Sequence, residues 1–346
     1  MRRLHRILIG TRRGVGLGLI GFLTFAVAGA GIQDWTESRN RERYPSPGRL
    51  VDVGGHRLHL HCTGSGSPTV VLEAGLSGWS QDWVALQPLL DDLRMVCSYD
   101  RAGYGWSDEA PSPRAGLAAV EDLRNALAAG GVQAPRVFVG HSLGGALVQL
   151  YAQRYPGDVS GLVLIDSLQR DQDRAMNPQT HRSYVGGLRR LTRMGAVAAE
   201  FGLMRAAGVP ASIIVDRLPV EKRAAAKANG FRSSAFRSLR DEFAEVDSVL
   251  AALRQGKQSL AVPVAIVGTR AIRDFPPGWD SPEMRAVWLR GQRRLGAEFG
   301  VAPTIVSGAG HYLQIERPYV IAQLIEWIAV RAVDEHTGPI LPLASK

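Results

Sequence analysis

The sequence predicts an α/β protein: a mostly parallel sheet flanked by helices, an all-helical insertion, and a separate apolar helix at the N-terminus. Three observations predict it. Short apolar runs, "TVVLEAG", "RMVCSYD", "RVFVGHS", "GLVLIDS", "VPVAIVG" and "APTIVSG", lack alternation, which suits strands buried on both faces. Helical stretches such as "GLAAVEDLRNALAAGG" and "GGALVQLYAQRYP" lie between them, and strand–helix alternation builds a parallel sheet. Residues 168–258 break the alternation and hold helical stretches only, for example "RSSAFRSLRDEFAEVDSVLAALRQG".

With 346 residues, 45% hydrophobic and 21% charged, the chain has the composition of a globular protein with a substantial core. The net charge of +9 is unevenly placed: +5 over residues 1–43, +7 over residues 168–258 and −3 over the remainder. No basic stripe interleaved with aromatics, zinc-finger spacing or RNA-binding sheet motif accompanies it, so a nucleic-acid partner is not expected. Attraction to anionic lipid and a simple solvated face both fit this charge.

In chain order, "MRRLHRILIGTRR" carries five arginines and no acid, and residues 14–32, "GVGLGLIGFLTFAVAGAGI", carry no charge. Nineteen helical residues span roughly 28 Å, close to the hydrocarbon thickness of about 30 Å. The expectation is a transmembrane anchor over residues 1–32, with its N-terminus cytoplasmic and the rest of the chain extracytoplasmic. A cleaved signal peptide is the alternative, given Ala28-Gly29-Ala30 and Thr11-Arg12-Arg13. Gly16 to Gly21 matches G-x-G-x-x-G, but no strand precedes it and no amphipathic helix follows, so no dinucleotide site is expected. Residues 33–49 are polar with two prolines and read as a linker.

The body is expected to divide into a core of residues 50–167 and 259–335 and a helical cap of residues 168–258 over the sheet's C-terminal edge. "RLVDVGGHRLHLHC" alternates around Gly-Gly, a hairpin signal. His59 and His61 share a face of its second strand, yet no third ligand stands at metal spacing, so no metal or other cofactor is expected. Cys62 and Cys97 are too few for a disulfide scaffold.

The chemistry begins at Gly140-His141-Ser142-Leu143-Gly144-Gly145, which is G-x-S-x-G between a strand and a helix. A serine hydroxyl at neutral pH needs a base. His311, in "SGAGHYLQIERP", follows the last strand and lies at the same sheet edge; His141 is given a packing role, and His181 and His336 have no evident partner. The tetrahedral intermediate needs two N–H donors, expected from the backbone of Leu143 and of Leu76. Three acids are open as the partner of His311. Asp166, at the end of "GLVLID", is preferred because its strand end fixes it; Asp274 and Asp171 are the others.

These residues identify a resemblance to the α/β-hydrolase superfamily, to bacterial members carrying "DRAGYGWSD" (Asp100–Asp108), "GHSLGG" and "SGAGHYLQIERP", over about residues 48–332. The resemblance implies about eight strands, the second antiparallel, a helical cap after the sixth, and strand order 1-2-4-3 at one edge. It thereby implies a Cys62–Cys97 pairing in an oxidising compartment. The chain departs from the family in two places: the oxyanion loop, usually His-Gly, is Ala74-Gly75, and the common aspartate after the seventh strand is Ala271. Members with an aspartate nucleophile act on epoxides or carbon–halogen bonds, whereas Ser142 points to acyl transfer. The expected function is cleavage of carboxylic esters, lipid esters among them, through an acyl-Ser142 intermediate. Amide, peptide or C–C cleavage, acyl transfer to an alcohol, and an inactive binding module are the alternatives.

Overall fold

Gly54 and Gly55, both at positive φ (101° and 99°), turn the chain between β1 (Arg49–Asp52) and β2 (Arg57–Thr63), a conformation costly for residues with a Cβ. This computed structural model describes residues 2–111, 116–256, 260–270 and 281–333. The remaining strands are β3 (Thr69–Glu73), β4 (Val96–Tyr99), β5 (Arg136–His141), β6 (Val159–Ile165), β7 (Val264–Thr269) and β8 (Thr304–Val306). They form one eight-stranded sheet in the order β1-β2-β4-β3-β5-β6-β7-β8. Strand β2 is antiparallel to both neighbours and every other pairing is parallel. The antiparallel register sets Cys62 opposite Cys97, and the two form a disulfide.

The central strands are apolar on both faces because both are covered. Val71, Phe138, Leu162 and Leu164 pack on one face with α2 (Leu117–Ala129) and α3 (Leu143–Arg154). Val70, Leu72, Val137, Val139, Val163 and Ile165 pack on the other with Ile321, Ile325 and Ile328 of α10 (Pro318–Val333). Helix α2 stops at Gly130-Gly131 and α3 stops before Pro156, where the sequence places their ends. Two further helices flank the last strands: α8 (Pro282–Phe299), capped by the Ser281 side chain accepting from Met284 N, and the single turn α9 (Leu313–Glu316).

Between β6 and β7 the described chain is helical: α4 (Pro178–Glu200), α5 (Leu203–Ala206), α6 (Val220–Gly230) and α7 (Ser233–Gln255). Val249, Leu250 and Leu253 bring the end of α7 into the core beside α2 and α3. A separate cluster of Ala196, Ala199, Ile214, Val215 and Phe236 meets Trp79, Tyr104 and Tyr312 from the core.

The N-terminus differs from expectation. Helix α1 (Arg2–Arg43) continues unbroken through residues 33–43, where the sequence predicts a linker. Among the described residues no helix is long and apolar enough to cross a membrane, which overturns the transmembrane anchor and the extracytoplasmic placement derived from it. Six of the nineteen residues from 14 to 32 are glycine, which brings no apolar side chain. The polar end of α1 instead docks on the cap. Gln33, buried, donates to Phe231 O at 2.7 Å and accepts from Arg205 Nε at 2.9 Å, and Glu37 accepts from Ser233 N at 2.8 Å. Gly29 lies against the carbonyl of Phe201, and a Cβ there would sit 2.6 Å from that oxygen.

The closest approach that organises the molecule is α3 against the end of β3. A Cβ on Gly144 would lie 2.3 Å from Glu73 O and 2.5 Å from Ala74 O. Gly186, within α4, has open space around the corresponding position. Gly144→Ala is therefore expected to lose about 2–3 kcal/mol of stability in urea unfolding through overpacking. Gly186→Ala should instead gain up to about 1 kcal/mol from helix propensity.

Candidate active site

Strand β5 delivers the chain into a sharp turn at Ser142, with φ 53° and ψ −117°. A non-glycine residue is held in that region only by its surroundings. Here Ser142 N donates to Ile165 O at 3.0 Å, and Ser142 O accepts from Gly145 N and Leu168 N, both at 3.0 Å. The glycines on either side are required by space: a Cβ on Gly140 would lie 2.5 Å from Gly144 O, and one on Gly145 would lie 2.1 Å from Ser167 Oγ. Ser142 thus stands at the C-terminal edge of the sheet. Leu143 opens α3, where first-turn N–H groups lack intrahelical acceptors and the helix dipole favours negative charge.

The loop after β3 runs directly over this turn. A Cβ on Gly75 would be 3.3 Å from Ser142 Cβ and 2.8 Å from His141 Nδ1, so Leu76 follows at the point of closest contact with the serine turn.

His311 follows β8 and is 4% exposed. Its Nδ1 donates to Asp166 Oδ2 at 2.7 Å. In the neutral ring this places the proton on Nδ1 and the lone pair on Nε2. Among the described residues, Asp166 is the candidate acid bonded to this ring. Asp171 pairs with Arg174 at 3.7 Å, and Asp274, like Ala271, lies outside the described residues. Asp166 is fully buried at φ 41°; its backbone N donates to Val267 O at 2.7 Å. Its other carboxylate oxygen accepts from Trp288 Nε1 at 2.8 Å and Thr269 N at 3.1 Å. Three donors on one buried carboxylate satisfy a charge that would otherwise be costly.

Further contacts fix the imidazole. Trp288 stands edge-on to it at 5.4 Å between ring centroids. Thr269 Oγ1 donates to Ala309 O at 2.6 Å, tying the His311 loop to β7. His141 Nε2 donates to His311 O at 3.0 Å. Burial, with His311 as a second cause, holds His141 well below the usual imidazole range, so it stays neutral and acts as a fixed donor. Trp288 and Thr269 carry no local sequence signal and are visible only once α8 and β7 are placed.

"DRAGYGWSD" proves to be structural wiring beside the site. Asp100 accepts from His59 Nδ1 at 2.9 Å, Ser80 N at 2.8 Å and Trp106 N at 2.8 Å. His59 Nε2 in turn accepts from Gly48 N at 3.1 Å, so both ring nitrogens of His59 are engaged. No cluster among the described residues could hold one.

The model described as alpha/beta hydrolase fold matches residues 68–191. With the sheet order and the serine turn, this match supports the α/β-hydrolase superfamily. The chain is 36% identical over 119 residues to the uncharacterized protein YqjL of Bacillus subtilis, a stretch covering 34% of this chain and 47% of that protein. It is 33% identical over 126 residues to a 2-hydroxy-6-oxo-2,4-heptadienoate hydrolase of Pseudomonas putida, covering 35% and 45%. The chain thus spans less than half the length of these curated relatives. A solved candidate lipase of Acinetobacter baumannii superposes with a TM-score of 0.63 over 88% of this chain and 97% of that one. At 19% identity that likeness is one of fold.

Asp82, in the turn after the Gly75 loop, is a buried carboxyl that accepts from Trp79 N at 3.4 Å. Burial pushes it from 3.8 up to about 7. A folded-state value above the unfolded one means the folded chain holds this proton more tightly. Its contribution to stability is therefore fully present below the unfolded value and is lost as pH rises towards 7. Between pH 4 and pH 8, Asp82→Asn is expected to gain about 3–4 kcal/mol over wild type in urea unfolding. A pH-independent difference between the two proteins would contradict this.

Proposed function

We propose that this protein is a serine hydrolase that cleaves carboxylic esters, lipid esters among them, through an acyl-Ser142 intermediate. The observation that carries the reading is the 2.7 Å bond from His311 Nδ1 to the buried Asp166, formed at the sheet edge where Ser142 is held at positive φ. In this reading His311 Nε2 takes the Ser142 proton as Oγ attacks the ester carbonyl. The oxyanion is received by the backbone N–H groups of Leu76 and Leu143. Collapse expels the alcohol, protonated by the imidazolium; His311 then deprotonates water, which attacks the acyl-enzyme and releases acid and free serine. Asp166 holds the imidazole orientation and stabilises its cation. Residues 168–258 form the cap that selects the substrate, and residues 50–167 and 259–335 form the core that carries the chemistry.

The serine nucleophile supports ester substrates, since a serine hydroxyl attacks an acyl carbon to form an acyl-enzyme. The match to a hydrolase named for 2-hydroxy-6-oxo-2,4-heptadienoate supports a second reading, C–C cleavage by the same residues.

A fluorophosphonate probe should label the wild-type protein and fail to label Ser142→Ala. Asp166→Asn should lower kcat by about 10³–10⁴-fold by losing the correct imidazole tautomer, and Asp274→Asn should lower it far less. Absence of labelling on folded wild type, or the reverse ranking of the two aspartates, would reject the assignment. Product analysis with an ester and a vinylogous diketone separates the two readings.

A further inference from the structure

The loop that carries Leu76 lacks the histidine usual at its start, and a buried ion pair holds it instead. Arg101, 4% exposed, donates from Nη1 to Ala74 O at 2.8 Å and from Nη2 to Gly75 O at 2.6 Å. Gly75 O also accepts from Gly78 N at 3.0 Å, closing the turn. The same guanidinium binds two carboxylates: Nη1 donates to Glu73 Oε1 at 2.5 Å, and Nε donates to Glu242 Oε1 at 2.5 Å. Glu73 belongs to β3, but Glu242 belongs to α7 of the helical insertion. Glu242 Oε2 accepts from Tyr104 OH at 2.9 Å, from Arg101 Nη2 at 3.3 Å and from Ser77 N at 3.3 Å. Two carbonyls and one N–H of the five-residue turn are therefore bonded to one ion pair.

The consequence follows from peptide geometry. Gly75 C=O and Leu76 N–H belong to one planar unit, and this peptide is not among the cis bonds, so its carbonyl and N–H point in opposite directions. Arg101 Nη2 pins the carbonyl and thereby aims the N–H the other way. The loop meets the serine turn at this residue: a Cβ on Gly75 would lie 3.3 Å from Ser142 Cβ. A guanidinium is suited to this task, because its planar fork reaches two acceptors at once while its Nε engages a third.

We propose that Arg101 and Glu242 are positioning residues that set the direction of the Leu76 oxyanion donor and make it conditional on the seating of α7 over the sheet. The inference rests on the serine-hydrolase reading above. It assigns the insertion a part in catalysis as well as in substrate choice: a displaced α7 withdraws Glu242, frees one side of Arg101 and releases Ser77 N. The neighbouring peptide then loses its fixed orientation.

The test measures p-nitrophenyl ester turnover, the rate and final extent of fluorophosphonate labelling, and thermal midpoints in the full-length protein. Glu242→Gln keeps the shape but loses the charge; Arg101→Lys keeps the charge but loses the fork. Each is expected to lower kcat by about 10–100-fold, a part of what loss of an oxyanion donor costs, with KM within about twofold. Labelling should slow in parallel but still reach one probe per chain. Glu242→Asp should recover part of the loss. Tyr104→Phe, which removes one hydroxyl from Glu242, should lower kcat severalfold, and it decides the matter if the other variants do not fold. Variants with reduced thermal midpoints but wild-type kcat and labelling rate would overturn the proposal and leave the serine hydrolase standing. A wild-type protein that the probe never labels would sink both.

Discussion

The structure depends most on one close approach: the first turn of α3 lies against the carbonyls that end β3, at a distance only glycine at position 144 permits. That contact sets the Ser142 turn beneath the Gly75 loop, and the hydrogen bonds from Ser142 N to Ile165 O and from Leu168 N to Ser142 O join the turn to the end of β6. Three strand ends, those of β3, β5 and β6, are thereby locked at one rim. Asp166 is the residue after β6, so its position is inherited from the same lock. A rim built from neighbouring parallel strands brings side chains distant in sequence together without long, mobile loops.

The second feature of the rim is how much charge is buried there and how completely it is paired. Asp166 takes three donors, Asp100 takes three, and Arg101 donates hydrogen bonds to two carboxylates and two carbonyls. Burial raises Glu73, and Arg101 opposes that rise. Buried ion pairs add little net stability, because desolvation offsets the attraction. Their value lies in direction, since a group held by several hydrogen bonds in a low-dielectric site has one orientation. His141 belongs to the same economy of orientation, held neutral and spent on the His311 carbonyl.

The helical insertion is joined to the core by both apolar and polar contacts. Leu250 and Leu253 enter the sheet's own apolar layer, Phe236 packs with Trp79 and Tyr104, and Glu242 meets Arg101. The polar end of α1 adds a tie of its own through Gln33 and Glu37 to the start of α7. An apolar run that reads as a bilayer anchor therefore continues into a helix whose far end is committed to protein. Of its described glycines, Gly29 serves close packing against Phe201, whereas Gly21 and Gly31 face open space.

The chain by itself determined the strands, the serine turn and the histidine loop. These are written in local patterns: β-branched runs, a glycine-flanked serine between strand and helix, and a histidine after the last strand. It ranked Asp166 ahead of Asp274 and Asp171 on strand position alone, because an aspartate at a strand end looks the same whether it caps a turn or faces an imidazole. Only the tertiary structure decided that Asp166 meets His311, that Trp288 and Thr269 hold it, and that Arg101 joins the β3 loop to Glu242. For α1, only the tertiary structure shows that its polar end docks on the cap through Gln33 and Glu37. Local sequence sets the conformation of each segment, while the bonds that orient a site run between residues 26 to 170 positions apart, and no local pattern encodes them.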